Sequence, residues 1–165
     1  MPKALQAAIH AYGSTKELSK NLGLDRLAIQ HNAIDAMRVL LRNGVDPIAN
    51  FGIALGTQNE DIMILMLEFY KSKSPICPLS GFLIIAAEAG HHKVIKKLIE
   101  IGAETNFRDG GALRAAAKAE REETVRFLIA QGADLETAWA EGQDIPLLEK
   151  MMASKKMKSG PTLEI

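Results

Sequence analysis

His91-His92 sets two imidazoles side by side, and imidazole is the commonest transition-metal ligand. Adjacent residues on a helix point about 100° apart, so these two rings diverge and predict no metal centre. Glu122-Glu123 offers two carboxylates. Neighbours in sequence do not face one another on a helix, and acids at a helix start are favoured by the dipole, so a solvated helix start is the expectation. Cys77 lies among Pro75, Ile76 and Pro78 with no histidine nearby, and nothing there would lower a thiol pKa. Gly110-Gly111 lacks the further glycine, lysine and hydroxyl residue of a phosphate loop and reads as a tight turn. The C-terminal Leu163-Glu164-Ile165 has the apolar-x-apolar form that PDZ domains accept as an added strand, a form that also arises by chance. The expectation is a protein that is not an enzyme, with no catalytic, cofactor-binding or metal-ligating residue.

Composition narrows the class further. The 165 residues are 47% hydrophobic, 24% charged and 5% aromatic. Twenty basic and 20 acidic residues balance to a net charge of zero, so no bulk field draws nucleic acid or anionic membrane. A lone cysteine permits no internal disulfide and points to a reducing compartment. The first ten residues lack the long apolar core of a signal peptide, and Ile62 to Leu67, the most apolar run, is far too short to span a bilayer. A cytoplasmic protein without a signal peptide is expected.

The chain is organised around Gly90-His91-His92-Lys93-Val94-Ile95-Lys96-Lys97-Leu98-Ile99-Glu100-Ile101-Gly102-Ala103. Val94, Ile95, Leu98 and Ile99 share one helical face, with Lys93, Lys96, Lys97 and Glu100 opposite. Gly102 closes the helix, because glycine takes the left-handed conformation cheaply. Three turns are too few to be stable alone, so the helix must pack on copies of itself. One copy ends at Gly132, 30 residues on, and another at Gly44, 58 residues back. A fourth, Asp61 to Tyr70, lacks the closing glycine. A segment with small residues precedes each copy: Ala28, Ala54, Ala86-Ala87 and Ala116-Ala117. Such a period predicts a solenoid.

Ala86-Ala87, Gly90-His91, Val94-Ile95, Leu98-Ile99 and Gly102-Ala103 resemble the ankyrin-repeat pattern, in which His91 matches a structural histidine. The resemblance covers roughly residues 24 to 140. The family's Thr-Pro-Leu-His segment is missing, and Gly81-Phe82-Leu83-Ile84 and Gly111-Ala112-Leu113-Arg114 stand in its place. The units are about three residues short of the family period of about 33, and the deficit between Gly102 and Leu113 predicts short, simplified fingers. The fold implied is an all-α ankyrin solenoid of about five stacked helix pairs, degenerate caps included. We expect one domain over 1–152: an N-terminal cap at 4–23, repeats at 24–46, 47–73, 74–104 and 105–134, and a C-terminal cap at 135–152. Asp144 is expected as the last helix's N-cap, and 153–165 as a flexible tail. In the second repeat the first helix is expected over Asn50–Gln58. The second helix there is apolar on nearly all sides and reads as the enclosed centre; the competing reading is an exposed groove for a partner or for self-association. Lys71 to Pro78 reads as an irregular, extended segment. Trp139 is expected to pack at the last interface.

The resemblance also implies use. Ankyrin arrays are protein-binding modules, which predicts a small, monomeric adaptor or inhibitor that holds one protein partner on its concave face. A regulatory or immunity subunit for an enzyme, or a nucleic-acid binder with a local basic patch, is the alternative. The concave positions of the two best repeats are Phe82, Glu88, Arg108, Asp109, Arg114 and Lys118. Arg114 replaces the family's histidine, and a guanidinium there is expected to lack a core contact and so to reach a partner's carboxylate. The bland reading has the basic residues solvated, or paired with Glu88 and Asp109. Asn106 is the family's candidate hydroxylation site, with Leu98 eight residues upstream. Its simpler role is to stabilise a turn by side-chain hydrogen bonds to backbone.

Overall fold

The structure, a computed structural model, describes residues 23–57, 59–70 and 79–158. They hold ten α-helices and no strand. The expected N-terminal cap, the segment from Lys71 to Pro78 with Cys77, and the Leu163-Glu164-Ile165 end lie outside them. The chain divides into two compact units, Met1–Ile76 and Cys77–Ile165. In the first, α1 (Leu24–Gln30) and α2 (Ile34–Arg42) form one pair and α3 (Phe51–Leu55) and α4 (Glu60–Phe69) the next. In the second, the pairs are α5 (Leu79–Ala89) with α6 (His92–Glu100), α7 (Phe107–Lys118) with α8 (Glu122–Ala130), and α9 (Leu135–Ala140) with α10 (Pro146–Lys158). Within each unit, the first helices of successive pairs pack on one another: α1 on α3, and α5 on α7 on α9.

The small residues permit this packing. Ala28, Ala54, Ala86 and Ala116 hold one register position and all are buried. A methyl group there lets neighbouring helices approach closely. The second helices bury the face read from their periodicity: Val94, Ile95 and Leu98 in α6, Val125 and Leu128 in α8. In α4, Ile62, Met63, Leu65, Met66 and Leu67 are all buried. The apolar second helix of this repeat is therefore core rather than an exposed groove. The expected first helix over Asn50–Gln58 shortens to Phe51–Leu55.

Both ends of the pairs close by one device. Gly44, Gly102 and Gly132 have φ of 89°, 104° and 92°. The next amide then donates five residues back, as from Ala103 to the Leu98 carbonyl at 2.9 Å, satisfying a carbonyl that the helix end would orphan. Gly90 (φ 83°) does the same between α5 and α6. Asn32 (φ 47°) and Glu120 (φ 55°) hold its equivalent places. The bond survives there, from Arg121 to the Ala116 carbonyl at 2.9 Å, but glutamate is strained in this region where asparagine is tolerated. Glu120→Gly is expected to raise the stability of the second unit by about 1 kcal/mol, read as a higher denaturation midpoint at unchanged slope. A lower midpoint would count against strain at that turn.

The fingers are short, as the missing residues predict. Arg108 (φ 53°, ψ 51°), Asp109 (φ 54°, ψ 53°) and Gly110 (φ 72°, ψ 32°) make one left-handed turn, and α7 is regular only from Gly111. Side-chain oxygens tie each finger to the next repeat: the Glu104 amide donates to Ser80 Oγ at 3.0 Å and the Asp134 amide to Asn106 Oδ1 at 2.8 Å.

The C-terminal end differs from expectation in two ways. The carbonyl of Ile145 accepts the first bonds of α10, from Leu148 and Glu149, so Ile145 rather than Asp144 stands at the N-cap. The helix then runs through the start of the expected tail, to Lys158. No breaker precedes Gly160. Lys155 bonds to Glu136 at 2.8 Å, and the Lys156 ammonium sits 5.9 Å from the Trp139 ring centroid, which holds this stretch on α9.

Candidate functional site

Repeat register decides which side chains packing leaves over. One position before each buried alanine stand Leu27, Ile53, Ile85 and Ala115. Three residues later stand Gln30, Gly56, Glu88 and Lys118. Glu88 and Lys118 are both exposed, on α5 and α7, which pack together. Two of the six expected site residues thus hold equivalent places on neighbouring first helices. Phe82 is half-buried at the start of α5 and makes a further interaction within the protein.

Arg108, Asp109 and Arg114 gather at the finger. Arg108 and Asp109 are exposed on the left-handed turn, and the Arg108 guanidinium lies 5.4 Å from the Phe107 ring centroid. Arg114 is half-buried and is engaged within the chain by backbone carbonyls at the surface rather than by a core contact. Its Nη2 donates to the Arg108 carbonyl at 3.0 Å and its Nη1 to the Glu141 carbonyl at 3.5 Å. Glu141 ends α9, where carbonyls have no helical partner. The long side chain reaches two backbone acceptors that a histidine could not. Arg114 therefore fixes the finger that presents Arg108 and Asp109. Among the described residues no ion pair joins Glu88 or Asp109 to Arg108, Arg114 or Lys118.

Lys118 also borders a cleft of about 510 Å³ with Glu120, Glu122, Asp144, Pro146 and Lys150. The end of α9 meets α7 at Arg114, and beyond it the start of α10 forms the wall of the cleft that faces the last turn of α7. Glu122 is already engaged there. Its hydrogen bond from Lys150 (2.9 Å), then that from Arg126 (2.7 Å), holds its carboxyl below the ordinary glutamate range. It stays ionised near neutral pH and is poorly suited to act as an acid.

The histidines serve packing. His91 is buried. His92 Nε2 meets Thr124 Oγ1 at 2.9 Å, and its ring stacks on Phe127 with centroids 5.1 Å apart. Among the described residues no group of three metal-ligating side chains converges. No helix there is long and apolar enough to cross a membrane.

Two features escaped the sequence reading. One is the Arg114 clamp, whose second acceptor lies 27 residues away. The other is the exposure of Leu27, Ile53 and Ile85. Their shared register was legible, but apolar residues beside an alanine read as core.

A family model described as ankyrin repeats (3 copies) matches residues 53–138, just over half of the chain. No curated protein and no solved structure matches it.

Proposed function

Because this chain belongs to the ankyrin-repeat family, we propose that it is a non-enzymatic protein-binding module, an adaptor or inhibitor that holds one partner on its concave face. Members of this family are in general protein-interaction modules. The observation that carries the reading here is a set of side chains the fold does not consume. Glu88 and Lys118 are exposed in matching register, and Arg108 and Asp109 are exposed on a finger held in a costly left-handed turn. Strain of this kind persists where the surroundings over-determine it, and it clusters at functional positions.

The test separates surface charge from the clamp. Arg114 is left intact, since its loss would release the finger as well as a charge. Arg108→Glu with Lys118→Glu reverses the two exposed cations, and Lys96→Glu, exposed on the second helix α6, is the control. Affinity purification from the native cell should recover a protein with the wild type and with the control but not with the double variant. Its measured affinity should fall at least tenfold, about 1.4 kcal/mol. Equal loss in both variants, or none in the double variant with the fold intact, would move the site off this face.

A further inference from the structure

We propose that Asn43-Gly44, in the turn that closes α2, is a self-modification site: a slow conversion of the asparagine to isoaspartate that the folded turn holds back. Of the asparagines, only Asn43 precedes a glycine. A glycine has no side chain to hinder the attack of its own nitrogen on the residue before it. Losing its proton, the Gly44 amide nitrogen attacks Asn43 Cγ. An N–Cγ bond forms, the Cγ–Nδ2 bond breaks, and ammonia carries the proton away as a succinimide ring closes. Water then adds to either ring carbonyl and leaves aspartate or isoaspartate. Both residues are exposed, so solvent water reaches them. The residues proposed above to bind a partner lie in the other unit, so the two proposals stand or fall separately.

The folded turn restrains both reacting groups. The Gly44 amide donates to the Leu41 carbonyl at 3.1 Å, and Asn43 Nδ2 donates to the Val39 carbonyl at 2.8 Å. Asn43 has ψ 17°, which places the Gly44 nitrogen almost in line with the Asn43 N–Cα bond. Ring closure needs it on the Cβ side instead. The reaction therefore waits for local opening of the turn. Its product does not fit the turn again. A carboxylate at residue 43 meets the negative end of the α2 dipole. Isoaspartate also lengthens the main chain by one methylene, which shifts Gly44 and Val45 off the Leu41 and Leu40 carbonyls, each 3.1 Å away. Val45 is a buried anchor of that closure. The fourth repeat supplies a comparison within the chain. Gln131-Gly132 has the same turn, with Gly132 at φ 92° and its amide 3.0 Å from the Ile129 carbonyl. Glutamine must close a six-membered ring, which forms more slowly.

The experiment ages the full chain in mildly alkaline buffer, native and unfolded in urea, and follows the peptide around Asn43 by mass and by enzymatic methylation of isoaspartate. That peptide should gain the mass difference between an amide and a carboxylic acid. Asp109-Gly110 can form the same ring by losing water, but it returns without a mass change, so the mass reading is specific to Asn43. Conversion in the native chain should be about tenfold slower or more than in the unfolded one, as the open fraction of the turn dictates. Leu40→Ala, which loosens α2, should bring the rate toward the unfolded value, and Gln131 should remain glutamine throughout. Aged protein should lose hydrogen-exchange protection in α1 and α2, and aged Asn43→Gln should keep it. No conversion in the unfolded chain would mean that Asn43 is not a site. Equal rates in the native and unfolded chains would mean that the turn does not hold it back. Conversion that leaves α1 and α2 as protected as before would remove its structural consequence. Each of these results overturns the proposal.

Discussion

Replacing Gly110 by alanine should destabilise the second unit by about 2–5 kcal/mol, joining a left-handed backbone penalty to an overpacking cost. Gly110 has φ 72°, and a Cβ built there would stand 2.7 Å from Ala138 Cβ and 3.1 Å from its Cα. The backbone angle alone does not forbid a side chain, since Arg108 and Asp109 carry theirs at φ 53° and 54°. The close approach of α9 makes the difference, and Ala138, fully buried on its helix, has no flexible end to yield. Gly111→Ala is the internal comparison. Its Cβ would meet Ile84 Cδ1 at 2.9 Å, the far end of a side chain that can turn away, and its cost should stay below about 1 kcal/mol. Urea denaturation, with hydrogen exchange of the α7 and α9 amides, reads both variants. Equal midpoints would mean that the finger does not press on α9.

Leu98→Ala should cost about 2–5 kcal/mol, the range for a buried leucine truncated in a packed core. Leu98 is wholly buried, as are Val94 and Ile95 beside it, and its carbonyl accepts the Ala103 amide that closes the helix. Lys96→Ala, exposed on the opposite face, should stay within about 0.5 kcal/mol of the parent. In a repeat array the loss should be felt first by α6 and its immediate neighbours, which exchange measurements resolve helix by helix. An unchanged transition for Leu98→Ala would mean that the buried face of α6 is misassigned.

The sequence by itself determined the repeat. Buried faces recur every three or four residues along a helix, so Val94, Ile95 and Leu98 declare their face without any knowledge of neighbours. A glycine such as Gly102 declares a left-handed closure through its own sterics. These are local rules, and they suffice for helix pairing, register and family. They weaken where two residue types satisfy one rule. Glu120 occupies a place that Gly90 would mark as a turn, and the helix past Ala153 ends with no early breaker. Tertiary structure decided what the leftover side chains do. Arg114 looked unemployed because its acceptor on Glu141 lies on another helix, brought near only by packing. The finger's left-handed turn, and the clash waiting at Gly110, depend on where α9 lies. Leu27, Ile53 and Ile85 are apolar residues next to buried alanines, and burial follows from what stands opposite rather than from residue type. The periodic face of a helix is written in spacing along one chain. The exposure of its margins is set by the distance between helices, which no single segment encodes.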